Sequence, residues 1–169
     1  MIPQCTKVAI NWMKRDHMPD VLRIEWESFE HIWTKEDFLG VLRQRNGIGM
    51  VAQTNDNRIA GFMIYELHKM RLHILNLAVD PAYRHQGVGT QMAGKLIDKL
   101  SQQRREEITL ETRESNLSSQ LFWKAMGFRA DMVLHGFYAD SDEDAYVFRF
   151  RLNEPAGALL QPHERIGIW

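Results

Sequence analysis

The sequence predicts a mixed α/β fold that combines antiparallel and parallel strand pairs. Two strand-like segments, residues 47–54 and 58–67, are joined by the turn Asn55-Asp56-Asn57, an arrangement typical of an antiparallel β-hairpin. Later in the chain, strand-like and helix-like segments alternate. A strand that returns to the sheet after a crossover helix pairs in parallel. The 169 residues are enough for one domain with a sizeable core.

The N-terminal part predicts one strand and two helices. Residues 7–13 alternate between apolar and polar side chains, as a strand does. Pro19 suits the first turn of a helix, and apolar residues at helical spacing follow it. Thr34, with Asp37 three residues later, predicts the N-cap of a second helix that continues to about residue 45. The loop 29–33 carries large apolar side chains, so it serves either as local core packing or as one wall of a substrate groove.

The stretch that follows the hairpin predicts a strand, a glycine turn and a helix. A mostly apolar run, residues 71–79, ends at Asp80-Pro81, which is typical of a buried strand. A one-faced helix runs from the turn to about residue 103. The turn, residues 84–90, contains two glycines. N–H groups at such a turn lie unpaired beside the positive end of the helix dipole, so the turn can bind phosphate oxygens.

Two classes of phosphate site are excluded. The sequence has no G-x-x-x-x-G-K-[ST], so it is not a P-loop NTPase. It also lacks G-x-G-x-x-G, because position 92 is Met where the third glycine would stand.

The remaining elements are a strand, a helix and two strands, predicted at residues 107–112, 116–126, 128–137 and 145–152. Gly127 is suited to the left-handed cap that ends the helix. The acidic turn 139–144 separates the last two strands. Residues 153–169 contain two prolines and two glycines, which predicts an irregular tail after a domain formed by residues 1–152.

Composition narrows the functional classes. A net charge of −1 argues against a mainly electrostatic nucleic-acid binder. One cysteine, Cys5, excludes an intrachain disulfide and fits a reducing cytoplasm. No apolar run approaches a membrane span, and the seven histidines show no metal-ligand spacing. We therefore predict a cytoplasmic monomer or homodimer with no metal, no nucleic acid and no membrane partner.

Three groups of motifs resemble a known family. R-x-x-G-x-G at residues 84–89, after a strand ending in V-D-P, resembles the acetyl-CoA signature of the GCN5-related N-acetyltransferase (GNAT) superfamily. Residues 110–128 resemble L-E-V-R-x-S-N…L-Y-x-x-x-G-F of the RimI-type ribosomal-protein N-terminal alanine acetyltransferases. Residues 137–145 and the pair Phe29 and Trp33 resemble the same group. The resemblance covers residues 6–152.

The resemblance implies a GNAT fold and an acyl-transfer reaction. The sheet would splay between the strands at 72–79 and 107–112, with helices on both faces. The protein would move acetyl from acetyl-CoA to a primary amine. The acceptor that the resemblance favours is the N-terminal α-amine of a protein, such as a ribosomal protein. Glu111 would be the general base that deprotonates the amine. Taken alone, Glu111 is more simply an outward strand residue paired with Arg113 or a lysine.

The resemblance also assigns residues to acetyl-CoA: Leu77, Ala78, Val79, Arg84, His85, Gln86, Gly87, Val88, Gly89, Thr90 and Asn116. The first three would act through their backbone, and an N–H near Leu77 or Ala78 would face the thioester oxygen. The turn would cradle the phosphates.

One position departs from the RimI-type pattern. Trp123 stands where that group has a tyrosine as general acid, and an indole N–H does not release its proton at neutral pH. Tyr138 can supply the proton instead, or water can, because a thiol of pKa about 8.5 leaves as thiolate. A third explanation is that the protein has lost the activity and only binds acyl-CoA. We favour water, with Tyr138 as the residue to test and Trp123 as a packing residue.

Two other functions stay open. A small-molecule amine acetyltransferase needs a closed pocket between the loop 29–33 and the turn 137–144, whereas a peptide needs an open groove. A non-catalytic acyl-CoA-binding module needs neither. The acidic residues 140–144 are either a solvated turn or a group that attracts a cationic peptide N-terminus.

Overall fold

Residues 4–153, the part of the chain described by the computed structural model, form a seven-stranded sheet with helices packed on it. The strands are β1 Ala9–Trp12, β2 Gly47–Gln53, β3 Ile59–Leu67, β4 Arg71–Val79, β5 Glu107–Arg113, β6 Arg129–Leu134 and β7 Ala145–Arg151. The helices are α1 Met18–Ser28, α2 Lys35–Leu42, α3 Val88–Gln103 and α4 Leu117–Ala125. Except for Asn153, the predicted tail lies outside the described residues.

The sheet is mixed, as predicted, with the strand order β1-β2-β3-β4-β5-β7-β6. The first four strands form an antiparallel meander, β4 pairs with β5 in parallel, and β7 lies antiparallel between β5 and β6. The predicted hairpin is confirmed in β2 and β3. At its turn, the Thr54 N–H donates to the Arg58 carbonyl at 3.0 Å, and Asn57 has a φ of 63°.

The helices cover both faces of the sheet, as predicted. One core lies between the sheet and helices α3 and α4, and includes Leu72, Leu96 and Trp123. The second lies under α1 and α2 and includes Ile24 and Phe38. Each fully buried side chain of this size contributes about 1.5–3 kcal/mol to stability. Among residues 4–153, no helix is long and apolar enough to span a membrane.

Both predicted helix caps are confirmed. The Thr34 hydroxyl accepts a hydrogen bond from the Asp37 N–H, while the Asp37 carboxylate accepts one from the Thr34 N–H at 2.7 Å. Gly127 follows α4 with a left-handed φ of 91°. Helix α2 ends at Leu42 rather than near residue 45, because the chain needs residues 43–46 to turn back into β2.

The last two strands are separated by more chain than the sequence predicts. Strand β6 ends at Leu134, whereas the prediction extended it to residue 137. Gly136 has a φ of 57°, and its N–H donates to the Asp144 carboxylate at 2.8 Å. This hydrogen bond turns the chain out of the strand before Phe137, so the loop starts earlier.

A β-bulge changes the direction of side chains in β4. Tyr65 pairs with Ile74 and Ile64 pairs with Asn76, which leaves Leu75 as an extra residue. A bulge breaks the alternation of faces. Leu75 therefore packs against the core beneath α1 and α2, and the next residue, Asn76, also reaches α1.

The parallel pair β4–β5 separates halfway along its length. Pairing joins residues 71–74 with residues 107–110 and then stops. Beyond this point, residues 75–79 have only β3 as a strand neighbour, and residues 111–113 have only β7. The predicted splay between these strands is confirmed, and it opens a cleft in the sheet.

Replacing Thr112 by Val is expected to stabilise the protein. The Thr112 hydroxyl oxygen is buried and has no hydrogen-bond partner within residues 4–153. An unpaired buried hydroxyl costs about 1–3 kcal/mol, and Val keeps the shape of the side chain without the polar atom. A gain near the lower limit raises the midpoint of thermal unfolding by about 2–4 °C, which calorimetry measures.

Thr109→Val is the matched control on the same strand. The Thr109 hydroxyl does have a partner, the Nδ1 of His73 at 2.8 Å. Removing the Thr109 hydroxyl should lower the midpoint of thermal unfolding, because that hydrogen bond is lost. A midpoint for Thr112→Val at or below that of the wild type would contradict the expectation.

Candidate active site

The cleft between β4 and β5 has one free strand edge. N–H and C=O groups along a strand point alternately to its two neighbours. Those of residues 75–79 that point away from β3 therefore have no strand partner. Leu77, Ala78 and Val79, the predicted backbone contacts, all lie in this free segment. Such an edge can hydrogen-bond the amides of an extended ligand as another strand would.

The glycine turn lies just beyond the end of β4. Gly87 is the N-cap of α3 and has a φ of 79°, a conformation that favours glycine. His85 also adopts a left-handed conformation, with a φ of 59°. No side chain in the described part of the chain caps the N-terminus of α3. The first N–H groups of this 16-residue helix can therefore bind an anion, as the sequence predicts.

Two predicted ligand residues of this turn use their side chains to brace it. Nε of Arg84 donates to the Val79 carbonyl at 3.0 Å, and its Nη2 donates to the Ser28 hydroxyl at 2.9 Å. The amide nitrogen of Gln86 donates to the Ala82 carbonyl at 2.9 Å. These bonds leave the backbone of the turn, rather than these two side chains, to face a ligand.

The N-terminal segment supports the same turn from outside. The Thr6 N–H donates to the Gln86 carbonyl at 2.9 Å, and the Gln91 amide nitrogen donates to the Thr6 carbonyl at 2.7 Å. The Val8 N–H in turn donates to the Gln91 side-chain oxygen at 3.2 Å. These bonds explain why β1 starts at Ala9 and not at residue 7: the preceding residues bind the turn.

Asn116 lies on the opposite side of the cleft, after the end of β5. It is the N-cap of α4, and its side-chain oxygen accepts the Ser119 N–H at 3.1 Å. Its amide nitrogen makes no hydrogen bond within residues 4–153. The cap therefore orients a free NH2 group, which fits the predicted contact with a ligand.

Glu111 is the first residue of β5 beyond the parallel pairing. Its side chain is 22% exposed, and its Oε2 is 3.0 Å from Nε2 of His73. Arg113 is not its partner, so the alternative of a Glu111–Arg113 pair is wrong. The structure thus places a half-buried carboxylate at the point where β4 and β5 separate.

Arg113 organises the acidic turn instead. Its guanidinium is 2.7 Å from Asp140 and 2.9 Å from Glu143. Hydrogen bonds from Ser115, Arg113 and Ser141 lower the pKa of Glu143 to about 2, and the bond from Arg113 also lowers the pKa of Asp140. Two carboxylates of this exposed turn, those of Asp140 and Glu143, are thus tied to the end of β5.

Tyr138 lies against the same guanidinium. The Arg113 carbon is 3.9 Å from the centre of the Tyr138 ring, the geometry of a cation–π contact. Burial raises the pKa of the Tyr138 hydroxyl to about 12, although the positive charge of Arg113 opposes the shift. The hydroxyl therefore keeps its proton at neutral pH.

Trp123 is a packing residue in this structure. It is 3% exposed, and its ring lies 4.9 Å from that of Phe122 and 4.8 Å from that of Phe128. This environment agrees with the predicted packing role.

The loop 29–33 packs into the core and also reaches the acidic turn. Trp33 packs edge-on against Phe38 at 5.2 Å, inside the core under α1 and α2. The exposed His31 reaches across to the acidic turn, with Nδ1 3.1 Å from Asp140. The loop is therefore anchored in the core and also contacts the acidic turn.

The chain is similar in sequence to known proteins. Residues 18–128 match the family model for the Acetyltransferase (GNAT) family. The chain belongs to this family. It is 26% identical to the ribosomal protein bS18-alanine N-acetyltransferase of Salmonella typhimurium over 141 aligned residues. The aligned region covers 82% of this chain and 94% of the Salmonella protein.

Solved GNAT structures share the fold. The ribosomal-protein-S18-alanine N-acetyltransferase of Escherichia coli superposes with a TM-score of 0.77 at 23% identity, over 92% of this chain and 100% of that one. Arabidopsis thaliana NAA60 in complex with acetyl-CoA superposes with a TM-score of 0.74 at 17% identity, over 86% of this chain and 100% of that one.

The GNAT chain is an acetyl-CoA-dependent N-acetyltransferase. Its own residues fit the cosubstrate, because an uncapped helix N-terminus suits a pyrophosphate and a free strand edge suits the pantetheine amides. Within residues 4–153, no group of three His, Cys, Asp or Glu side chains is arranged to hold a metal ion.

Two polar contacts near this GNAT site were not predicted from the sequence. His73 contacts Glu111, although the sequence predicted no role for this histidine. The carboxylate of Glu25, on α1, is 1% exposed. Its oxygens accept the Trp33 N–H at 2.7 Å and the Asn76 amide at 2.9 Å, and burial raises its pKa despite these bonds. The sequence does carry one sign that Glu25 is buried, because it lies on the apolar face of α1 beside Val21 and Ile24.

Proposed function

We propose that this N-acetyltransferase acetylates the N-terminal α-amine of a protein or peptide. The observation that carries the proposal is the half-buried Glu111 carboxylate where β4 and β5 part, next to the free strand edge. The named Salmonella and Escherichia relatives act on the alanine of ribosomal protein bS18, which supports an N-terminal substrate.

Each residue of the site has its own role in the reaction. The turn 84–90 and Asn116 hold acetyl-CoA, which supplies the acetyl group. A backbone N–H near Leu77 or Ala78 polarises the thioester carbonyl. Glu111 accepts a proton from the substrate ammonium, directly or through water. The neutral amine then attacks the carbonyl and forms a C–N bond. As the C–S bond breaks and releases a thiolate, the nitrogen gives its second proton to water and becomes the amide nitrogen.

Protonation of the thiolate is assigned to water. Tyr138, the alternative donor, has a pKa of about 12. That value is several units above the roughly 8.5 of a thiol, so transfer from tyrosine to thiolate is unfavourable. Tyr138 then acts as a neutral contact for the acceptor. An unchanged kcat in Tyr138→Phe would support this assignment, and a large loss would restore Tyr138 as the acid.

A specific contact favours the rival function, acetylation of a small amine. The His31–Asp140 pair joins the two walls of the groove and would close it on one side. Both side chains are substantially exposed, and such pairs are worth about 0–1 kcal/mol. A peptide can therefore separate them at little cost, and the groove remains compatible with a peptide.

Acetylation assays distinguish these functions. The substrates are a peptide carrying the bS18 N-terminus, the same peptide with a blocked N-terminus and an internal lysine, and a panel of small polyamines. We expect turnover, seen as thiol release and a mass increase, only with the free N-terminus. Turnover confined to polyamines would support the small-amine function. Tight acetyl-CoA binding without any turnover would favour a binding module.

A further inference from the structure

His73 bridges two side chains of the neighbouring strand. It lies on β4 opposite Thr109, one residue before the parallel pairing ends. Its Nδ1 is 2.8 Å from the Thr109 hydroxyl oxygen, and its Nε2 is 3.0 Å from Oε2 of Glu111. Thr109 and Glu111 are two residues apart on β5, so their side chains project from the same face. The imidazole therefore sits where the cleft begins.

One neutral tautomer of the ring satisfies both contacts. An ionised carboxylate only accepts hydrogen bonds, so Nε2 carries the hydrogen that is donated to Glu111. Nδ1 then accepts the hydrogen of the Thr109 hydroxyl. The side chain of His73 is only 16% exposed, and Thr109 is buried, so water competes little for these bonds. The three groups form a fixed chain from Thr109 through His73 to Glu111.

This chain makes the two oxygens of the carboxylate unequal. Oε2 is held by the imidazole, whereas Oε1 makes no hydrogen bond or ion pair within residues 4–153. A free glutamate side chain samples many rotamers, and ordering it costs entropy. A carboxylate already ordered by His73 presents Oε1 to the acceptor without that cost.

We propose that His73 is a positioning residue that aims the Glu111 carboxylate at the acceptor amine. The inference rests on the proposed role of Glu111 as the base. It goes further by assigning the orientation of that base to a histidine on the opposite side of the cleft, with Thr109 holding the other nitrogen of the ring.

Two substitutions separate the two nitrogens of the ring. His73→Gln keeps a donor near the Nε2 position and can still reach Glu111. His73→Asn keeps polar atoms near the Nδ1 position and reaches only Thr109. The measurements are kcat and KM with the N-terminal peptide, KM for acetyl-CoA, and the midpoint of thermal unfolding.

We expect His73→Asn to lower kcat by about tenfold, because a misplaced catalytic group loses much of its effective concentration. The KM for acetyl-CoA should stay unchanged, because the free strand edge and the glycine turn are untouched. His73→Gln should retain most of the activity. In the Glu111→Gln background, His73→Asn should cause no further loss, because the group it positions is gone.

Three outcomes would overturn the inference: equal losses in both His73 variants, a full additional loss in the Glu111→Gln background, or wild-type activity of His73→Asn. The last result, combined with an impaired Glu111→Gln, would leave the proposed function intact. An active Glu111→Gln would instead remove Glu111 as the base and the positioning role with it. Thermal midpoints identify a variant that has only lost stability.

Discussion

Glu111→Gln is expected to lower kcat/KM for an N-terminal peptide by about 10²–10⁴-fold, the usual contribution of a general base. Glutamine has nearly the same shape, but its amide cannot accept the proton of the ammonium. An α-amine has a pKa of about 7.7–8.0, so at pH 7 most of the substrate needs deprotonation before attack. The loss should therefore shrink as the pH rises above 8. Steady-state rates between pH 6.5 and 9.5 test both parts.

Glu107→Gln is the matched control for this experiment. Glu107 is on the same strand and the same face, but at the far end, where it is paired with Arg149 and Arg151. It should retain activity near that of the wild type. Activity of Glu111→Gln near the wild-type value at pH 7 would end the assignment of the base. A loss that stays constant to pH 9.5 would show that Glu111 acts by another route than deprotonation.

The features that could be predicted from the sequence are those determined by residues close together in the chain. The end of β4, the positive φ at Gly87 and the start of α3 depend on residues close together in the chain. The Thr34 cap and the Gly127 stop are local for the same reason. Strand–turn–helix units are therefore readable from periodicity and glycine placement.

The contacts that the sequence could not predict join distant segments. His73 reaches Glu111 only because the β4–β5 register places His73 opposite Thr109. Glu25 reaches Asn76 only because a bulge at Leu75 turns Asn76 toward α1. Neither the register of a parallel pair nor the position of a bulge is encoded in a local pattern. The contacts of His73 and Glu25 therefore could not be predicted before the strand register was known.

Glu25→Ala is expected to destabilise the protein by about 3 kcal/mol, since it leaves two hydrogen-bond donors without an acceptor and creates a cavity. The donors are the Trp33 N–H and the Asn76 amide, so the substitution removes the hydrogen bonds from this carboxylate to the loop 29–33 and to β4. For a chain of this size the midpoint of thermal unfolding should fall by about 10 °C. Calorimetry at pH 7 measures the change.

Glu27→Ala is the matched control on the same helix. Glu27 is exposed and forms an i,i+4 pair with Arg23 at 2.9 Å, a contact worth about 0.3–0.5 kcal/mol. Its midpoint should change by only about 1–2 °C. Equal shifts of the midpoint for the two alanine variants would show that the buried Glu25 stabilises the protein no more than the exposed Glu27 does.

Glu25→Gln separates the hydrogen bonds from the charge. A glutamine accepts the Trp33 N–H through its oxygen, and its NH2 can donate to Asn76 if that side-chain amide turns over. Burial raises the pKa of Glu25, so the native state holds the proton more tightly than the unfolded chain does. The stability of the wild type therefore falls, relative to Glu25→Gln, as the pH rises from the ordinary carboxyl pKa through the raised one. A difference in unfolding free energy that does not vary between pH 5 and 8, or that grows in favour of the wild type, would contradict this account of the buried carboxylate.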